Sequence, residues 1–112
     1  MRDDGPSVLG RFPVKQVAVD ENTAASNTIV AAVAGKSIRV ISYVLAVSAA
    51  EVLTWEDGNN ADLSGAMTVD ASPLVAESQT GLFWTPEGVA LNLLAGGTAQ
   101  VSGHITYIET DI

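Results

Sequence analysis

The side chains that perform acid–base and nucleophilic chemistry are scarce in this sequence: one histidine, His104, no cysteine, and two lysines, Lys15 and Lys36. Catalysis of that kind usually sets His, Cys or Lys beside a carboxylate. His104 stands between Ser102 and Thr106 in an alternating run, without the elbow motif that supports a Ser-His-Asp triad. A cupin-type metal site takes two or three histidines, which a single His104 cannot supply. Asp57, Asn59 and Asp62 are spaced like the start of a calcium loop, but the sixth-position Gly and twelfth-position Glu are missing, so Asp57-Gly58-Asn59-Asn60 reads as a turn. No cofactor, metal-ligand set or catalytic residue is expected, and the chain is read as a non-enzyme. The tryptophans remain, since an aromatic face near Asn and Asp can stack on a sugar ring. Trp55 alternates with Leu53 and is expected in the core. Phe83 and Trp84 are adjacent, so one of them faces outward, and an outward Trp84 is an interface candidate.

The elements that must position these residues come from a chain of 112 residues, the size of one domain with one core. The apolar fraction of 47% comes mostly from Ala and Val, with 5% aromatic residues, which suits a thin sheet sandwich. Thirteen acidic against five basic residues give a net charge of −8, which repels phosphate backbones and anionic lipid, so neither nucleic acid nor membrane is an expected partner. The absence of cysteine excludes a disulfide framework, Cys-ligated zinc and a thiol nucleophile. Met1-Arg2-Asp3-Asp4-Gly5-Pro6 has two acids and no apolar run, unlike a secretory signal, so a protein made and used inside a cell, or released by lysis, is expected. The longest apolar stretch, residues 40 to 50, is interrupted by Ser42 and Ser48 and is too short to span a bilayer.

Residues 1 to 13 show neither helical nor strand periodicity and read as an extended N-terminal arm, with Val8, Leu9 and Phe12 as apolar anchors. Residues 14 to 112 read as a β-sandwich domain. Val14, Val17 and Val19 lead to a polar turn at Asp20-Glu21-Asn22, and an apolar run follows from residue 28 to 33. Ala34-Gly35-Lys36-Ser37 then reads as the tight turn of a hairpin. Strict alternation over residues 38 to 47 puts Ile38, Val40, Val44 and Ala46 on one face and Ile41, Tyr43, Leu45 and Val47 on the other. Both faces are apolar, so the second needs a cover. A symmetry-related subunit is the simplest one, with a loop or the arm of the same chain as the alternative. In the last strand Val101, Ile105 and Tyr107 are expected inward, and Ser102, His104 and Thr106 outward. About eight short strands separated by Gly, Pro, Asn and Asp predict an all-β, jelly-roll-like sandwich or barrel.

Four segments carry a resemblance: Ala-Gly-Lys-Ser-Ile-Arg-Val (34 to 40), Ser-Tyr-Val-Leu (42 to 45), Leu-Ser-Gly-Ala-Met (63 to 67) and Gly-His-Ile-Thr-Tyr-Ile-Glu (103 to 109). The stretch from 29 to 109 that contains them is similar to the small jelly-roll decoration, or cement, proteins of tailed bacteriophage capsids. The resemblance implies a virion structural protein made in the host cytoplasm. It would sit on the capsid exterior as a homo-oligomer, typically a trimer, with the major capsid protein as partner. It also implies arm contacts to the shell through Arg2, Val8, Leu9, Arg11 and Phe12. The subunit interface is expected at Ile41, Tyr43, Leu45, Val47 and Trp84. A receptor- or carbohydrate-binding head of a phage fibre or baseplate is the competing expectation.

Overall fold

Short runs of alternating apolar and polar residues, cut by Gly, Pro, Asn and Asp, leave little choice but strands. The computed structural model describes residues 12 to 111, and these form strands without a helix. The strands are β1 (Lys15–Glu21), β2 (Ser26–Val30), β3 (Ser37–Val47), β4 (Glu51–Asp57), β5 (Met67–Val69), β6 (Leu74–Glu77), β7 (Phe83–Trp84), β8 (Leu91–Ala95) and β9 (Val101–Thr110).

The pairing is that of a long antiparallel ribbon rolled on itself. β1 pairs with β9, β2 with β8, β3 with β6 and β7, and β4 with β5. Rolling then brings β9 beside β3 and β8 beside β4. One sheet therefore runs β1-β9-β3-β6, with β7 also on β3, and the other runs β2-β8-β4-β5. Two packed sheets in this order make a jelly roll. The expectation of about eight strands differs from the nine observed because β6 and β7 are two pieces of one ribbon strand, separated by the loop 78 to 82.

The turn at Ala34-Gly35 forms as expected, with Gly35 at φ 77° and Lys36 N–H donating to Val33 O at 3.0 Å. It does not close a hairpin. β2 belongs to one sheet and β3 to the other, so this turn carries the chain across the sandwich. The core between the sheets holds Ile38, Leu45, Leu53, Trp55, Leu93 and Ile105 at 0% exposure. Tyr43, Trp55 and Phe83 meet there as tilted rings, 5.4 to 6.5 Å between centroids. Such pairs add about 0.5–1.5 kcal/mol each beyond their buried area.

β3 breaks strict alternation. The register on β9 slips between Val40, opposite Tyr107, and Ser42, opposite Thr106. One extra residue in a strand reverses the facing of everything after it. Ile38 and Val40 point into the core before the bulge, and Tyr43 and Leu45 point into it afterwards. Ile41, at the bulge, turns to the outer face and packs with Ile108 and Phe12. The face of this strand that fills the core therefore changes parity halfway, leaving Ile41, Val44 and Ala46 on the outer face.

Candidate interaction surface

Phe83 turns inward against Tyr43 and Trp55, and alternation then points Trp84 outward, 52% exposed at the margin of the five-stranded sheet. Its ladder partner is Arg39, whose guanidinium carbon lies 4.5 Å from the Trp84 ring centroid. Arg39 Nη1 donates to Thr80 O at 2.9 Å, which ties the guanidinium to the loop between β6 and β7. Gly81 in that loop, at φ 106°, leaves room for the Arg39 stem, because a Cβ there would stand 2.7 Å from Arg39 Cγ. The arginine is thus clamped between an indole face and a backbone carbonyl.

Across the ladder from Trp84 and Arg39 comes Ile108, and next to it the Ile41 and Phe12 cluster. Further along the same face Val75, 64% exposed, stands opposite Val44. A tryptophan, an arginine and aliphatic neighbours on one open sheet face are the residue types that carry most binding energy in protein interfaces. The face is a strand surface rather than a cleft, so it suits an extended partner more than a buried small molecule.

The expected site residues fall in different places. Arg2, Val8, Leu9 and Arg11 lie outside the described residues. Phe12, expected to grip a partner, packs on Ile41 and Ile108 of its own sheet. Tyr43 and Leu45, expected at a subunit interface, are 6% and 0% exposed in the chain's own core, because the bulge turned them inward. Val47 packs against the same core for the same reason. Trp84 is on the surface as expected, whereas Val44 and Ala46, expected on the same face as Ile38 and Val40, are on the opposite, outer face. Trp55 is fully buried.

His104 is exposed and sits between Ala18 and Val44 in the ladder, so its cross-strand neighbours supply no carboxylate. The Asp57 carboxylate serves its own turn: Oδ1 accepts from Asn59 N–H at 2.8 Å and from Ala61 N–H at 3.0 Å, with Asn60 left-handed at φ 65°. Arg39 was not singled out from sequence. Its signal was present, since a charged residue inside an apolar strand needs a specific partner.

The fold and this surface define an all-β jelly-roll module with an arginine-stacked tryptophan on the outside of one sheet. No family model, curated protein or solved structure matches the chain.

Proposed function

We propose that this protein is a non-enzymatic virion structural protein, a decoration or cement protein that binds the outside of a tailed-bacteriophage capsid as a homo-oligomer, expected to be a trimer. The observation that carries this reading is the exposed Trp84–Arg39 stack on the outer face of a jelly-roll sheet. It is a preorganised contact: the indole is presented, and the arginine that flanks it is already immobilised by Thr80. Docking it therefore costs less side-chain entropy than docking a free pair. The resemblance of residues 29 to 109 to cement proteins points the same way, and a net charge of −8 suits a protein that coats particles without aggregating them. With Tyr43 and Leu45 committed to the core, subunit contacts would draw on Trp84, Val75 and Val44. Several modest contacts linked in one oligomer bind tightly through effective concentration.

The test is co-sedimentation of the purified protein with undecorated shells, with bacterial surface polysaccharide as competing target. Saturable binding to shells, lost on Trp84→Ala, is the expected result. Binding to polysaccharide alone would transfer the protein to the second reading, a carbohydrate-binding head, which the exposed indole face also favours.

A further inference from the structure

Among the described residues, the outer face of the four-stranded sheet holds a buried carboxylate without a counter-charge. Glu56 on β4 is 6% exposed, and its Oε1 accepts a hydrogen bond from Ser26 Oγ at 2.9 Å. Ser26 Oγ in turn accepts from Asn92 Nδ2 at 3.0 Å. Proton counting settles the orientation of that amide. The single hydroxyl proton of Ser26 is donated to Glu56 Oε1, so the Asn92 atom facing Ser26 Oγ is the donor nitrogen. Asn92 Oδ1 is then left buried with no hydrogen-bond partner among the described residues, on a residue that is only 7% exposed.

A second carboxylate stands beside the first. Asp62 is the bridge partner of Glu56, flanked by Leu63 N–H donating to Trp55 O at 2.7 Å and Asp57 N–H donating to Ala61 O at 2.9 Å. This is the non-hydrogen-bonded kind of antiparallel pair, in which opposed side chains approach most closely. Asn92 is the partner of Glu56 on its other side. The ladder row therefore reads Asn92, Glu56, Asp62, with like charges directly opposite each other, an arrangement that is destabilising by itself. The described basic side chains are engaged elsewhere: Lys15 with Glu109, Lys36 with Asp111, and Arg39 with Trp84 and Thr80.

A buried carboxylate, an opposed carboxylate and an orphaned amide oxygen all lack the same thing, a positive charge with empty coordination sites. We propose that this row is a binding site for a hard divalent cation of the calcium kind, with Glu56, Asp62 and Asn92 Oδ1 as protein ligands and water completing the shell. Oxygen-only donors of mixed charge match calcium, which takes six to eight of them in flexible geometry. The exposed Asp62 gives the ion its way in. Asp62 is presented by the loop that the Asp57–Ala61 hydrogen bonds close, while the Asp57 carboxylate stays bound to its own turn; the site does not use the Trp84 face and stands independently of the capsid reading.

The test uses the full chain, stripped with chelator and titrated with calcium chloride by calorimetry and thermal melting. The expected result is saturable binding of one ion per chain. A hundredfold excess over the dissociation constant should raise Tm by roughly 10 °C. Glu56→Gln and Asn92→Leu should each weaken binding at least tenfold. Without calcium, Glu56→Gln should be no less stable than the parent, since it removes an uncompensated buried charge. No saturable binding at millimolar calcium overturns the proposal. So does undiminished affinity in Glu56→Gln, which would place the ion elsewhere.

Discussion

Gly103 lies in the middle of β9, between β1 and β3, with its ladder partners Val19 and Leu45 holding it on both sides. Its φ of 147° is one that side-chain-bearing residues rarely adopt, and a Cβ placed there would overlap the carbonyl of Val44, whose carbon would be 2.8 Å away. Gly103→Ala therefore incurs a backbone strain of about 1–3 kcal/mol. It also incurs an overpacking cost of about 1–3 kcal/mol, since the β3 backbone that the Cβ would meet is fixed in the ladder. A combined loss of about 4 kcal/mol is a large part of the roughly 5–15 kcal/mol that holds such a domain together. At about 4–8 °C per kcal/mol, Tm should fall by at least 15 °C. Gly35→Ala is the control. It has φ 77° but nothing within 4 Å of an added Cβ, so only the left-handed strain of about 1–2 kcal/mol applies. Calorimetric melting of the two variants separates the terms. A Gly103→Ala variant as stable as Gly35→Ala would refute the close approach of β9 to the Val44 carbonyl.

Three further outcomes are expected. Leu45→Ala should lose about 2–5 kcal/mol by urea denaturation, whereas Val44→Ala on the outer face should lose well under 1 kcal/mol; equal losses would deny the parity change at the β3 bulge. Burial raises the Tyr43 pKa above the ordinary tyrosine value of 10.0. Above that pH the unfolded chain ionises while folded Tyr43 stays protonated, so its contribution is intact below pH 10 and is lost as pH rises. Tyr43→Phe should accordingly flatten part of the fall of Tm above pH 10, and an unchanged slope would count against that burial. Phe12→Ala should lose about 1–2 kcal/mol, because the ring covers Ile41 and Ile108, and no change would mean that the cluster is not held by Phe12.

What could be read from sequence was what depends on neighbours along the chain. Trp55 follows Leu53 at strand spacing, and Val101, Ile105 and Tyr107 alternate against Ser102, His104 and Thr106, so their inward facing was legible. The β3 bulge was not legible, because its cause is long-range. The extra residue Ile41 exists where β9 slips past β3 and where Ile108 and Phe12 offer an apolar seat on the outside. Alternation carried through Ile41 therefore misplaced Tyr43, Leu45 and Val47, and a subunit interface was assigned to residues that fill the core. The turn at Gly35 was recognised for its conformation, but whether a turn closes a hairpin or crosses the sandwich is decided by partners, here β8 and β9. The row of Asn92, Glu56 and Asp62 joins residues from separate strands and a loop, and no local pattern unites them.

The bulge and the surface patch are two consequences of one mismatch. β3 carries an extra residue at Ile41, and the partner strand answers by breaking into β6 and β7 at the same level. Ser78 N–H donates to Ile41 O at 2.9 Å and Leu82 N–H to Val40 O at 2.8 Å, so the loop 78 to 82 brackets the irregularity and keeps its backbone groups bonded. That loop supplies Thr80 O to the guanidinium of Arg39 and Gly81 to make room for its stem. The β7 fragment beyond it sets Phe83 into the core and Trp84 onto the surface. A bulge in a sheet re-aims side chains that regular alternation would leave in line. Here it moves a large apolar residue, Ile41, under Phe12, and stations the Trp84–Arg39 pair beside it on the same outer face. The place where the sheet departs from regularity is therefore the place where it presents its largest exposed aromatic.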